Sequence, residues 1–437
     1  MYAYEVHTGG ENACVSQRSS AVETKGDDDM EKAATWTLSW VSLSQTLGVS
    51  TVVLFIVSVV TVRTIAQDTP AAVPERVVVS IDPQFAAIAT EGTQQFKANV
   101  RVPSNDAVIW RVNGVVGGNA ELGTISENGL YTAPPARPPV RVEITATSVV
   151  DPTKVASPNV VVGAPVGTKV WRYGATADSI MANTSGVVAA LQNHRRHMTT
   201  RLVYDPHISA SQYLSSAQQV AAVSDIMGQP IDSSEVKSKY NVTTYLQRFQ
   251  DYVPTMDSMT AQWELCNECN GEWLGSIPTV IQEASETYDY LVAQGDQSKT
   301  VLTLYYNETC YTNSLNMIWN WIPNLPSRII NGVNTVLLSY WKDQCNGLNP
   351  DWQSVMTHLA AVFPNSWVGI GECGKRKWRD QSQIPAYVDL YYPQSGIVTV
   401  PSFVGGYYWW YYEENMVPWN SGQTGANSAE MDKDLTP

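Results

Sequence analysis

Two glutamates stand where a short apolar run ends. Glu268 lies in Trp-Glu-Leu-Cys-Asn-Glu-Cys-Asn-Gly (263–271) and Glu372 in Trp-Val-Gly-Ile-Gly-Glu-Cys-Gly (367–374). Each run has the length and apolar character of a buried strand, so each carboxyl is delivered from a strand end. Two carboxylates held this way meet the need of glycosidic-bond cleavage, in which one acid protonates the leaving oxygen and one carboxylate attacks or stabilises the sugar cation. Other carboxylates compete for roles. Glu264 shares strand parity with Glu268 and is read as half of a structural ion pair, and Glu272 lies close enough in sequence to be a rival acid.

The elements that must position these groups begin after a short linker, Gly163–Gly167. From there strand-like runs alternate with amphipathic stretches. The runs are Lys169–Tyr173, Thr199–Tyr204, Val223–Gly228, Thr260–Cys266, Thr300–Tyr305, Thr335–Tyr340, Trp367–Gly371 and Gly406–Tyr411. Eight strands interleaved with helices predict a closed (β/α)8 TIM barrel over residues 168–437, whose active site lies where the strands end. Helices are expected at 185–197, 211–222, 243–252, 277–293, 317–330 and 351–363. The stretch after the eighth strand is short and polar, so the closing helix is expected to be weak or missing. Asp205 and Asp225, near the ends of the second and third strands, are expected to line the cleft.

With these elements in place, residues 169–420 resemble the large clan of retaining glycoside hydrolases that carry the acid/base on strand 4 and the nucleophile on strand 7. The resemblance rests on Asn267-Glu268 and on Glu372 closing strand 7. It implies that Glu268 is the acid/base, Glu372 the nucleophile, and Asn267 a partner for the hydroxyl next to the scissile carbon. It further implies that Tyr340 and Arg201 support the nucleophile and that Trp409 or Trp410 floors the sugar subsite. Cys269 replaces the Pro that many members carry after the acid/base. No cofactor and no metal are expected.

Upstream, short runs at 76–81, 94–102, 107–112, 141–147 and 155–162 are separated by Gly, Pro, Asn and Asp, the pattern of an antiparallel sandwich over residues 76–163. Trp110 is expected at its centre. The stretch Gly123-Thr-Ile-Ser-Glu-Asn-Gly-Leu-Tyr-Thr-Ala-Pro134 resembles the strand-turn-strand signature of bacterial immunoglobulin-like domains, which implies a spacer or adhesive role and a bacterial source.

Before it come a polar segment (1–32), a charge-free run (33–62) and a linker (63–75). The run meets the roughly 20-residue requirement of a membrane-spanning helix. It is read either as a retained anchor or as a signal peptide cleaved after Thr64-Ile65-Ala66. Either reading places the remainder outside the cytoplasm, in the cell envelope or secreted.

Composition narrows the partners. With 27 basic against 41 acidic residues, a net charge of −14 and a pI near 4.8, the chain lacks the basic surface that nucleic acid requires. The 15 Trp and 22 Tyr against 6 Phe suit a carbohydrate substrate, whose cleft is part apolar and part wet. Five of the six cysteines fall near the ends of strands 4 to 7. Cys310 with Cys345 is the disulfide expected of an exported chain, and Cys266 is read as a small buried hydrophobe. His194 and His197 are assigned to a solvated helical face. The oligomeric state is left open. A non-catalytic glycan-binding or structural surface protein with a degenerate barrel is the alternative to an enzyme.

Overall fold

Eight strands pair in parallel and in chain order, the eighth returning to the first, to close a barrel. The computed structural model describes residues 77–101, 105–307, 310–344, 347–392 and 398–435. The strands are β1 (Arg172–Ala177), β2 (Thr199–Val203), β3 (Asp225–Gln229), β4 (Gln262–Cys266), β5 (Thr300–Tyr305), β6 (Thr335–Ser339), β7 (Trp367–Cys373) and β8 (Phe403–Trp409). Most of their residues are buried on both faces, which is why they read as near-continuous apolar runs rather than alternating ones. Irregular register on either side of β8 coincides with Gly405 and Gly406 at φ +78° and +105°. A Cβ on Gly406 would stand 1.9 Å from the Ile370 carbonyl oxygen, so only glycine lets β7 and β8 approach there.

One principal helix follows each strand: α1 (Thr184–Asn193), α2 (Ala210–Ala221), α3 (Val242–Met256), α4 (Ile277–Gln294), α5 (Ser327–Gly332), α6 (Trp352–Val362), α7 (Ile384–Tyr391) and α8 (Gly422–Asp434). Their ends carry local signals. Ser276 caps α4 by accepting from the Thr279 amide at 3.3 Å, Pro278 lies in its first turn, and Gly295 closes it at φ +91°. Asn241 and Thr244 form a reciprocal capping box on α3. The long helix expected at 317–330 is instead Ile318–Trp321, a 3₁₀ turn Ile322–Asn324, and α5, because Pro323 and Pro326 cannot continue a helical hydrogen-bond ladder.

The closing helix, expected to be weak or missing, is present as the 13-residue α8. Its sequence is polar, and it docks through few residues, Met431 with Asn427 and Ser428. The Asn427 amide donates to Gln381 Oε1 and to the Asn415 carbonyl, so hydrogen bonds substitute for an apolar stripe. That is why hydrophobic periodicity did not reveal it.

The described residues between 78 and 162 are all strand, turn and loop. They pair as ladders 78–82 with 97–101, 155–156 with 144–148 with 108–112 with 115–116, and 93–95 with 130–132 with 123–125 with 118–119. The stretch 159–162 runs parallel to 85–88. Trp110, 5% exposed, joins Phe96, Tyr131, Ile144 and Val160 in a hydrophobic core separate from that of the barrel. Strands 123–125 and 130–132 are antiparallel partners across the turn read from the sequence. This β-region belongs to one compact unit with the barrel. His358 of α6 is stacked between Phe85 at 3.6 Å and Trp319 at 3.7 Å, and Arg137 donates to the Pro364 carbonyl and to Asn365 Oδ1.

The run at 33–62 lies outside the described residues. Among the described residues no helix is long and apolar enough to cross a membrane.

Candidate active site

Both glutamates reach the mouth of the barrel where the strands end, and both are buried, Glu268 6% and Glu372 7% exposed. Glu268 follows β4 with φ +50°, a left-handed backbone that a non-glycine residue adopts at some cost and that turns its side chain back over the mouth. Its carboxyl accepts from Ser233 Oγ at 3.1 Å and from Ser339 Oγ. Glu372, within β7, has a different set of partners. Oε1 accepts from the Trp341 indole at 3.1 Å, and Oε2 accepts from Arg201 Nη1 at 3.2 Å and Asn267 Nδ2 at 3.4 Å.

Arg201 is fully buried. Its other terminal nitrogen pairs with Glu264 Oε1 at 2.6 Å, and Thr303 also donates to that oxygen. One guanidinium therefore ties two carboxylates together, its plane near the rings of Tyr408 and Trp410. Glu264 is the ion-pair residue expected of it. Asn267 links the two glutamates: its oxygen accepts from the Ser233 amide at 3.1 Å, and Ser233 in turn donates to Glu268.

Burial pushes the Glu268 carboxyl up to about 7, opposed by its two serine donors and reinforced by the Asp232 charge. Burial, and then the nearby Glu268 charge, also raises Glu372, while Arg201 opposes the rise. Two carboxyls this close share protons as a pair. The proton goes to Glu268, because Glu372 is met by three donors and no acceptor, whereas hydroxyl partners tolerate a protonated acid.

The remaining expectations divide by geometry. Tyr340 does not support Glu372 through its side chain: its hydroxyl donates to the Leu348 carbonyl and its ring packs on Trp352 and Tyr391, while its amide donates to the Glu372 carbonyl at 2.8 Å. The next residue, Trp341, faces Glu372 instead, since successive side chains alternate sides at a strand end. Trp409 is fully buried and donates to Asn415, so it is core, while half-buried Trp410 lies beside Arg201 at the mouth. Asp205 is exposed and accepts from the Tyr213 hydroxyl at 2.8 Å rather than from the pair's network. Asp225 starts β3 and sits at the opposite pole, bonded to Arg172 and His197. Glu272 is half-buried and accepts from the Thr312 hydroxyl and the Asn313 amide, outside the pair.

Trp341, Ser233, Ser339 and Asp232 were not read from the sequence. Trp341 was within reach, one place beyond the expected strand. Ser339 is the last residue of β6, inside the expected strand, while Asp232 and Ser233 sit on the loop after β3, whose folding back no periodicity shows.

Cys266 is buried, yet it is disulfide-bonded to Cys269 with Cα atoms 5.5 Å apart, so it is more than a small hydrophobe. Cys310 is also disulfide-bonded, and Cys345 lies outside the described residues. Cys373 is free and buried. His194 is buried against the Tyr412 hydroxyl at 2.9 Å, contrary to a solvated face, while His197 is exposed.

No protein-family description and no curated protein matches the chain. Among solved structures it matches Gas2 of Saccharomyces cerevisiae with laminaritriose and laminaritetraose, at 13% identity over 63% of this chain and 67% of that one, TM-score 0.38. It matches the endo-β-1,4-mannanase of Thermotoga petrophila at 11% identity over 61% and 77%, TM-score 0.40. SrfJ of Salmonella typhimurium matches at 12% identity over 56% and 66%, TM-score 0.40. Likenesses this slight decide neither substrate nor mechanism. What the coordinates define is an eight-stranded parallel barrel with a buried carboxyl pair at its mouth.

Proposed function

We propose that the chain is a retaining glycoside hydrolase acting on a poly- or oligosaccharide. The observation that supports this most is the asymmetric pair: Glu372 held by three donors, and Glu268 raised to about 7 between two hydroxyls. Glu372 attacks the anomeric carbon as Glu268 gives its proton to the departing oxygen. Water, deprotonated by Glu268, then releases the sugar from Glu372, so stereochemistry is retained. Arg201 and Trp341 hold the nucleophile ionised and oriented, and Asn267 binds the sugar hydroxyl beside the reacting carbon. Carboxyl groups of retaining enzymes stand about 5–5.5 Å apart, and the contribution of the Glu268 charge to the rise of Glu372, second to burial, supports such closeness.

The same reading takes residues 33–62 as an anchor or signal segment and residues 76–163 as an immunoglobulin-like spacer that holds the barrel off a bacterial cell surface. Hydrolysis of aryl glycosides and polysaccharides, wild type beside Glu372→Gln, tests the catalytic part. Activity that disappears in the variant while circular dichroism stays unchanged is expected; cleavage that persists would refute the assignment. Glycan binding without cleavage, equal in both proteins, would favour the non-catalytic surface protein.

A further inference from the structure

The loop after β7 departs from the rest of the chain in charge. Residues 375–379 read Lys-Arg-Lys-Trp-Arg, four cations in five positions of a protein whose net charge is −14. Lys375 is buried over the Tyr387 ring, while Arg376, Lys377 and Arg379 are exposed. The ion pairs among the described residues all lie elsewhere, so none of the four is neutralised by a carboxylate within salt-bridge distance.

This run is joined to the nucleophile by rings. Trp341, which donates to Glu372, packs edge-on against Tyr411 at 6.0 Å; Tyr411 stacks on Trp378 at 5.6 Å; and the Arg379 guanidinium lies 4.3 Å over Trp378. Asn415 fixes the loop by donating to the Trp378 carbonyl at 3.1 Å. A guanidinium stacked on an aromatic face is oriented, yet its edge N–H groups stay free for a planar anion.

Carboxyls also border this rim, so the local charge balance has to be decided. Burial pushes Glu413 up to about 8 and Glu414 up to about 7, and raises Asp178. Near neutral pH Glu413 is largely protonated and Glu414 about half so, while lysine and arginine keep full charge. Asp343 bonds to the run only through the Arg376 backbone amide, at 3.0 Å. Asp380, next in sequence, accepts from the Ser382 hydroxyl, so along this rim the exposed cations Arg376, Lys377 and Arg379 outnumber the carboxylates Asp343 and Asp380.

We propose that the β7 loop is an anionic-sugar subsite, in which Arg376, Lys377 and Arg379 bind a carboxylate or sulfate carried by a sugar neighbouring the one cleaved. The proposal rests on the hydrolase reading for what is cleaved, and it names the substrate class as acidic glycan. Bidentate arginine recognition gives specificity for planar or tetrahedral oxyanions that a hydroxyl cannot match.

The test is calorimetric binding of acidic oligosaccharides to the full chain, wild type beside Arg376→Ala/Arg379→Ala. Ligands are glucuronate- and galacturonate-bearing oligomers, their carboxyl-reduced counterparts, and a sulfated oligomer of the same backbone. The wild type is expected to bind at least one acidic oligomer about tenfold or more tighter than its neutral counterpart, as charge-assisted arginine contacts provide. That preference should collapse in the double variant and shrink with salt, while binding of the neutral oligomer stays unchanged. The uronate and sulfate arms identify which anion is read. The proposal is overturned if no acidic oligomer outcompetes its neutral form, or if the variant weakens both alike. Acid-selective binding without cleavage would sink the hydrolase reading and spare this one, whereas Glu372-dependent cleavage with no acid preference would do the reverse.

Discussion

Each pole of the barrel carries an arginine paired with carboxylate, and the two pairings differ most in burial. At the pole where strands begin, Arg172 meets Asp225 at 2.6 Å with side chains 14% and 37% exposed, and His197 is a second partner of Asp225. At the pole where strands end, Arg201 meets Glu264 at the same 2.6 Å, and Glu372 at 3.2 Å, with exposures of 0%, 0% and 9%. Equal contact geometry has unequal consequences, because water screens the first pair and not the second. The open clamp fastens two strands. The sealed clamp holds the charge of Glu372, the nucleophile of the proposed mechanism, and in that mechanism burial keeps the proton that Glu268 would donate.

The strongest way to break this contrast is to remove the sealed cation. Arg201→Met leaves Glu264 and Glu372 buried without a counter-charge, and breaking a buried pair in this way costs about 3–5 kcal/mol. The two carboxyls would escape by protonating, so the loss should be larger at alkaline than at acidic pH. Urea unfolding at pH 5 and pH 8 would show it, and hydrolytic activity should be lost at both. A cost equal at the two pH values would mean that the site stabilises the fold by packing alone.

Glu268→Gln sharpens the contrast from the other side. A carboxyl whose folded value is raised to about 7 binds a proton that the unfolded chain, at about 4.3, has released, so native stability falls as pH rises between those values. Replacing the acid by its neutral amide removes that penalty. The variant should be more stable than wild type above pH 7, by up to about 3 kcal/mol, with the difference vanishing near pH 4. Turnover should fall about 10²–10⁴-fold for substrates with poor leaving groups, as expected for loss of a general acid. In the wild type the alkaline limb of the rate profile should bend near 7 and disappear in the variant. A wild-type stability that rises with pH through this window would contradict the assignment of the proton.

How much of this was legible in the sequence follows from where each group sits. All eight strands were found, because strands buried on both faces announce themselves as apolar runs; Glu268, Glu372 and Glu264 followed from strand ends and parity, and Arg201 from the family resemblance. Trp341 was missed for Tyr340 by one residue, since β6 ends at Ser339 and a boundary error of one reverses the facing side. Asp225 was assigned to the wrong pole for a related reason: the strand expected to end near it begins there. Helix α8 escaped because its contacts are hydrogen bonds from Asn427 and Ser428, which leave no hydrophobic period. The Cys266–Cys269 bond and the Ser233 contact to Glu268 depend on loop paths that no local pattern encodes.

A smaller change probes the holder of Glu372, the proposed nucleophile, directly. Trp341→Phe keeps a ring against Tyr411 but deletes the indole donor to Glu372 Oε1. A hydrogen bond to a charged group contributes about 1.5–3 kcal/mol, so kcat should drop roughly tenfold to a hundredfold. The acidic limb, which reports ionisation of Glu372, should move to higher pH. An unchanged limb with lower kcat would assign Trp341 to substrate stacking instead.

The open clamp gives the smallest effect and so the control on which the comparison stands. Asp225→Asn keeps the shape of the side chain, removes the charge facing Arg172 and His197, and leaves Arg172 with solvent on one side. Exposed pairs of this kind contribute about 0–1 kcal/mol and are screened by salt. The variant should lose no more than that in urea unfolding, lose still less at high ionic strength, and hydrolyse at the wild-type rate, because no strand-end group contacts position 225. A loss as large as that of Arg201→Met would show that the two poles are coupled through the barrel interior, and that burial alone does not separate a fastening from a catalytic device.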